Sequence, residues 1–438
     1  MVKISLSDRV IILRSCLYYS YNIFRLIGYV DVSQYKFYNE IRDEQMERLI
    51  KLIANSDIHY YQNASNNNIT IDNILDQSIY LTKQELRENF DKIYHKTDKE
   101  FFHITSGSTG QPLKVISSGI SEAHRFAHRF RFYDWWGIRP WDRNILVWGE
   151  MSTTEIKKEE GVLIKAKNFI KRPEELFISV FDLDENSITD FYKNCLSHNA
   201  VFIRGYASGV YSFCLLLQKK KLNGRKLNLK LAITTSEILF EDRRSLIEEV
   251  LGCRVANEYG AAEIGLFACE CPSGSMHINE ELVFLQTTRD GDLLVTDLHN
   301  TATPLINYEI GDRIKINDTP CSCGRGLRVI ESITGREGDL VLKPDGEYAS
   351  QYIFYYSLKE IGVLGYENAI AQYKVIQEKN HFRIYIVKGS RFSESATNAF
   401  IDLVKEKIGQ NISFSTEYVN EIPREKSGKI RFFQRIDS

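Results

Sequence analysis

The sequence predicts an α/β protein: a large N-terminal domain with βα-type sheets and a small barrel-like subdomain, then a small α+β C-terminal domain. Three observations carry this. Between residues 100 and 260, short apolar runs ("RNILVWG", "NAVFIRGY", "LKLAITTSE", "GCRVANEYG") alternate with helical patterns ("SGVYSFCLLLQKKK", "EDRRSLIEEVLG"). That order belongs to βα units and a largely parallel sheet. From 281 to 317 the runs "ELVFLQTT", "GDLLVTDL" and "DRIKIN" are divided by turns, the pattern of an antiparallel or barrel-like subdomain. After "ITGREGDLVLKPDGEY" the pattern starts afresh. A hairpin turning at Glu378-Lys379-Asn380 is followed by a helix with Ser393 as N-cap, then by the strand "ISFSTEYVN".

Residues 1–95 are rich in helix formers and read as a mostly helical opening to a large domain spanning 1–334. The small domain then takes 335–438, with a candidate hinge near Gly335. Near the start, the longest uncharged run, Ser15 to Phe24, lies between Arg14 and Arg25. It is much shorter than the roughly 20 residues that span a bilayer. It also lacks a charged start and small-residue cleavage site. An amphipathic or buried helix, no membrane span and a cytoplasmic location are expected. Composition is 43% hydrophobic and 26% charged with net charge −2, ordinary for a globular protein. Nothing in that balance favours nucleic acid.

Four polar, turn-like stretches stand out. "HITSGSTGQPLKV" sets Thr105, Ser106, Gly107, Ser108, Thr109 and Gly110 ahead of Lys114. It reads equally as a turn or as a clamp of backbone N–H groups and hydroxyls on a phosphate. It is not a Walker A loop, which needs Gly-x4-Gly-Lys-[Ser/Thr]. "NEYGAAEIG" places Glu258 and Glu263 around Tyr259, Gly260, Ala261 and Ala262, and "LINYEIGDRIKI" sets Asp312 after a glycine. "IPREKSGKIRFF" offers Lys429 on a glycine-containing loop, suited to neutralising charge that develops during a reaction. "EAHRFAHRFRFYDWWG" is expected as a helix over the site, its arginines meeting phosphate or an anionic acceptor.

Of eight cysteines, Cys16, Cys195, Cys214 and Cys253 stand alone, whereas Cys269, Cys271, Cys321 and Cys323 form two Cys-x-Cys pairs. Such pairs in a cytosolic protein suggest metal more than disulfide. With His277 they make five candidates for the four positions of a tetrahedral Zn²⁺ site.

In this order the motifs resemble the adenylate-forming superfamily of acyl-CoA synthetases, adenylation domains and luciferases. The resemblance is greatest to the phenylacetate–CoA ligase family and its capsular-polysaccharide-associated branch, and it runs from Thr105 to Arg431. It implies that the Thr105–Gly110 loop grips the phosphates of ATP, with Lys114 beside it. Ser236 and Glu237 of "TSE" would line the adenine and acyl pocket, and Tyr259 of "YGAAE" would lie against adenine. Glu263 would coordinate Mg²⁺, Asp312 would bind the ribose with help from Arg336, and Gly338 or Asp339 would be the hinge. Lys429 would be the catalytic lysine, carried by a mobile C-terminal domain. Ala262 stands where the family has a hydroxyl, and the Pro-Lys exit of the loop is one residue longer here. Relatives with a Cys…His…Cys-x-Cys arrangement imply Cys271, His277, Cys321 and Cys323 as zinc ligands, with Cys269 spare.

The implied reaction activates a small carboxylic acid as acyl-AMP with ATP and Mg²⁺, then transfers the acyl group to CoA. Two alternatives stay open: an amine or hydroxyl acceptor in surface-polysaccharide modification, and a non-catalytic, zinc-stapled ATP-binding protein. The sequence names neither the acid nor the oligomeric state, a dimer included.

Overall fold

A computed structural model describes residues 38–55, 71–104, 113–149, 174–336, 340–425 and 428–436. They form two compact units. The first runs to Ile310 and includes Lys315–Glu331; the second takes Gly311–Ile314 and the chain from Ser332.

The opening is helical where described: α1 (Tyr38–Asn55), α2 (Ile71–Leu75), α3 (Lys83–Glu88) and α4 (Phe90–Ile93). Cys16 and the apolar run around it lie outside the described residues. Thr82 starts α3 through a capping box with Glu85, each side chain accepting from the other residue's backbone N–H. The Gln45 amide fastens α1 to the 280–283 turn, reaching the Glu280 and Val283 carbonyls at 2.8 and 3.0 Å. Leu49 and Leu52, one and two turns on, are buried on the same stripe.

Strands β1 (Glu100–Ile104) and β2 (Lys114–Ser118) pair antiparallel, with Ile104 opposite Lys114. The loop Thr105–Gly110 between them lies outside the described residues. Ser118 ends β2 and caps α5 (Gly119–Trp135), the helix expected from "EAHRFAHRFRFYDWWG".

Eleven described strands share one sheet. Its parallel half comprises β3 (Asn144–Trp148), β4 (Glu175–Ser179), β5 (Phe202–Tyr206), β6 (Leu231–Thr235) and β7 (Arg254–Ala261), in the order β4-β3-β5-β6-β7. Helices α6 (Ile188–His198), α7 (Ala207–Lys219) and α8 (Glu241–Leu251) supply the crossovers into β5, β6 and β7. Both faces are covered, which is why these strands read as continuous apolar runs. Ile145, Val147, Ile203 and Ala232 pack with Val210, Phe213 and Leu217 of α7. On the other face Phe202, Leu231 and Ile233 pack with Phe132 and Tyr133 of α5.

The antiparallel half comprises β8 (Gly265–Glu270), β9 (Met276–Ile278), β10 (Val283–Thr287), β11 (Asp292–Asp297), β12 (Tyr308–Asn317) and β13 (Val329–Arg336). From β7 outward the order is β8-β9-β13-β12-β11-β10. Within 281–317, β10 and β11 pair antiparallel as expected, and the strands of this stretch continue the large sheet beyond β13.

After β13, the second unit continues with the hairpin β14 (Leu340–Leu342) and β15 (Tyr348–Ser350), followed by α9 (Tyr352–Ile361). Then come β16 (Ile370–Glu378), β17 (His381–Lys388), α10 (Glu394–Ile408), β18 (Ser413–Val419) and β19 (Phe433–Ile436). The strand order is β18-β17-β16-β19, with the central hairpin antiparallel and both outer pairs parallel. Lys379, at φ 52°, turns the hairpin, and the Ser393 side chain accepts from the Ala396 N–H to start α10. Phe354, Phe382, Phe400 and Phe433 fill the core. Among the described residues no helix is long and apolar enough to cross a membrane.

Candidate active site and metal centre

"NEYGAAEIG" is a bulged hairpin, with β7 running to Ala261 and β8 starting at Gly265. The register shifts between Tyr259 and Gly260. A Cβ on Gly260 would sit 2.2 Å from the Gly265 carbonyl, so only glycine fits. Tyr259 packs edge-on to Phe267 at 5.3 Å. The turn is held from behind by Arg125 of α5, whose Nη2 donates to the Glu263 carbonyl at 2.6 Å. The same guanidinium lies 3.2 Å from the Glu122 carboxylate and 3.6 Å from that of Asp297. Glu263 itself is buried, and among the described residues its carboxylate accepts one long hydrogen bond, from the Tyr308 hydroxyl at 3.4 Å.

The carboxyl ends of the parallel strands carry the next group, at the edge where open α/β sheets bind ligands. Ser236 follows β6 in the left-handed region at φ 67°. Glu237 caps α7, its carboxylate accepting from the Ser208 N–H at 2.7 Å and the Ser208 hydroxyl at 3.0 Å. Glu258 faces away from solvent and takes both Nε and Nη2 of Arg204 on one oxygen, at 3.0 and 2.8 Å. Arg204 in turn lies over the Trp148 ring, which packs at 4.2 Å against Tyr206. The Lys114 ammonium sits over the Phe90 and Phe102 rings at 5.1 and 5.3 Å.

Two described arginines of α5, Arg125 and Arg131, are already engaged and do not present free charge to a phosphate. Arg125 serves the hairpin, and Arg131 is buried on Glu281 at 2.7 Å and on Asn279 at 2.8 Å. Reading this helix as one whose arginines meet phosphate or an anionic acceptor missed this, because the buried carboxylates Glu281 and Asp297 lie far downstream in the sequence. The same arginines leave a signal in hindsight: "INEEL" and "VTDL" are apolar-flanked strand ends whose acids, if buried, need partners.

In the second unit, Gly311 at φ 81° turns the backbone within β12 just before Asp312. Arg336 closes β13, and Gly338 and Asp339 lie outside the described residues. Lys429 follows Gly428, which adopts φ 83°. Its loop is closed by the Glu425 N–H donating to the Lys429 carbonyl and the Gly428 N–H donating to the Glu425 carbonyl, both at 2.8 Å. Arg424 adds a bond to the Gly428 carbonyl at 2.9 Å.

A separate cluster joins the end of β8, strand β9 and the β12–β13 connection. The ligand atoms of Cys271, His277, Cys321 and Cys323 all lie within 4.8 Å of one another. His277 Nε2 is 3.1 Å from the Cys323 sulfur, while Nδ1 donates to the Leu327 carbonyl at 3.1 Å. That bond fixes the tautomer that leaves Nε2 as a ligand. Burial pushes the His277 ring down to about 4 and the Cys271 thiol up to about 11. Cys321 moves the other way: against burial, hydrogen bonds with the Ser275 hydroxyl and the Cys323 N–H hold it below its ordinary value. Cys269 stands apart in the core beneath α5, its sulfur accepting from Asn279.

Residues 344–435 match the CapK C-terminal domain family. Protein CapK of Staphylococcus aureus is 24% identical over 415 residues, covering 90% of this chain and 88% of that protein. Among solved structures, 2-hydroxyisobutyryl-CoA ligase in its postadenylation state superposes with a TM-score of 0.62 at 16% identity. The match covers 82% of this chain and 80% of that one. The anthranilate CoA ligase AuaEII bound to anthranoyl-AMP gives 0.52 at 14%, covering 75% of this chain and 64% of that one. The chain therefore has the fold of the adenylate-forming CoA ligases, as the motifs implied, and Protein CapK is among its relatives.

Proposed function

We propose, from the premise of that fold and its CapK-type C-terminal domain, that this protein is an ATP-dependent ligase activating a small carboxylic acid as acyl-AMP. The observation that supports it most is the hairpin at Glu258–Gly265. Arg125 locks the Glu263 backbone, while the buried Glu263 carboxylate keeps a single long hydrogen bond among the described residues. A buried carboxylate so thinly satisfied suits a hard cation.

Glu263 would hold Mg²⁺, which when bound supplies positive charge to the phosphates and the departing pyrophosphate. Thr105–Gly110 would seat those phosphates, with Lys114 at its exit. Tyr259, with Gly260, Ala261, Ala262, Ser236 and Glu237, would border adenine and the acyl group. Asp312 and Arg336 would take the ribose. An oxygen of the acid attacks the α-phosphorus, the bond to the bridging oxygen breaks, and pyrophosphate leaves with its electron pair. The Lys429 ammonium would donate to the charge that develops there. The small domain, turning near Gly338 and Asp339, would then admit the acceptor.

CoA is the acceptor favoured by the fold. A second reading keeps the adenylation and passes the acyl group to an amine or hydroxyl acceptor. Pyrophosphate release across a panel of aromatic, fatty, amino and sugar acids tests the first half-reaction. Mass analysis of products with and without CoA tests the acceptor: an acyl thioester only with CoA supports the ligase, and free acyl-AMP persisting beside CoA points to the other acceptors. ATP binding without acid-dependent pyrophosphate from any acid would leave the non-catalytic alternative.

We further assign Cys271, His277, Cys321 and Cys323 to a structural Zn²⁺. The donor set fits: four soft ligands converge, and the histidine is already oriented by a backbone carbonyl. Four protein ligands leave no open position, so the ion would tie the β8–β9 turn to the β12–β13 connection.

A further inference from the structure

A second polar site lies at the other end of the sheet. Leu231 pairs with Arg254 at the amino ends of β6 and β7, whereas Thr235 pairs with Glu258 at their carboxyl ends. Four residues of strand separate the two, about 13 Å at strand rise. At the amino end is a depression of about 500 Å³ whose lining includes Arg225, Lys230, Glu248, Gly252, Cys253 and Arg254.

What marks it is how its cations are held. Arg225 is anchored through Nε to the Glu249 carbonyl at 3.3 Å, and Arg254 lies over the Trp136 ring at 5.0 Å. Both guanidiniums are positioned by neutral partners, so neither charge is cancelled by its anchor. Lys230 is exposed and forms no ion pair among the described residues. The one acid in the lining, Glu248, already accepts the Val255 N–H at 2.8 Å. Gly252, left-handed at φ 69°, keeps the floor open: a Cβ there would meet Arg225 Cγ at 2.9 Å. The flanking run "QKKKLNGRKLNLK" holds six cations and no acid, in a chain whose net charge is −2.

We propose that this depression binds a multiply phosphorylated small molecule, at a site distinct from the one that handles ATP. Fixed guanidinium forks match phosphate oxygens two at a time, and a concave surface that sets three cations against one carboxylate concentrates anions. The claim does not depend on the adenylating reaction.

The test is calorimetric titration of the full chain with inorganic tripolyphosphate, first alone and then with ATP present at saturation. One binding event should survive ATP and weaken as salt is raised. Lys230→Ala, at an exposed position, should weaken that event about tenfold, the loss of one charge-assisted bond. Arg225→Ser should do the same. Lys226→Ala, a cation of the same run outside the lining, should change it less than about twofold. Loss of all binding under ATP, with the event unchanged in Lys230→Ala and Arg225→Ser, would overturn the proposal. So would equal weakening by Lys226→Ala and Lys230→Ala, which would mean diffuse attraction to the basic run. Repeating the titration with a nucleoside diphosphate separates recognition of phosphate alone from recognition of a nucleotide.

Discussion

Arg125 shows how much of the candidate site rests on one side chain. It bonds the Ala262–Glu263 turn, pairs with Glu122 and faces Asp297, which burial holds above the usual carboxylate range. Arg125→Met leaves Asp297 buried without its cation, so unfolding should become easier by about 3–5 kcal/mol, measured by urea titration. Arg125→Lys should recover little, because an ammonium cannot reproduce the fork. A second prediction concerns the rings of His124 and His299, stacked at 3.4 Å beside Arg48, whose Nη1 lies 3.2 Å from His299. Burial pushes His299 down to about 3, opposed by its bond to the Glu281 carbonyl and assisted by Arg48. Burial and the His299 charge lower His124 further. His128, Arg131 and Glu281 complete the surroundings, and Glu281 is itself held low by Arg131 despite burial. Folded pKa values below the unfolded 6.5 mean that the unfolded chain takes protons first. Stability should therefore be full above about pH 6.5 and decline as pH falls toward 3. Denaturation midpoints across that range should show a shallower decline in His299→Gln.

Elements were legible where their physics is local. The parallel strands, α8, the β16–β17 hairpin and the Ser393 cap follow from periodicity, β-branched runs and capping residues close in sequence. Long-range partners were not legible. Nothing near Glu258 announces Arg204, 54 residues away, and nothing in "NEYGAAEIG" tells a strand end from a bulged hairpin until β8 pairs with it. The four-ligand cluster is intermediate: residue types were evident, while the exclusion of Cys269 follows from strand alternation, which buries it under α5. Two predictions belong at this scale. Gly260→Ala forces a contact with the Gly265 carbonyl, so the hairpin must shift, and acid-dependent adenylation should fall at least about tenfold with the fold retained by circular dichroism. Freshly prepared, unchelated protein should carry one zinc per chain by elemental analysis. Its removal, or Cys321→Ser with Cys323→Ser, should lower the melting temperature more than it weakens ATP binding. Metal-free protein of undiminished stability would contradict the assignment.

For the whole molecule, the sheet-bearing unit would hold the phosphates, adenine and acid, while the second unit carries Lys429 together with Asp312 and Arg336, which would take the ribose. Lys429→Ala should slow acyl-AMP formation at least about a hundredfold, the scale of a lost charged donor at a reacting phosphate. Transfer from preformed acyl-AMP should change little, since the lysine acts in the first half-reaction. Comparable loss in both would mean damage to the small domain as a whole. The central claim is adenylation itself, and exchange of labelled pyrophosphate into ATP reads it without knowledge of the acceptor. The account predicts exchange that requires one class of carboxylic acid and Mg²⁺, and that is lost in Glu263→Gln while ATP still binds. No exchange with any acid, in protein shown to bind ATP, would contradict it.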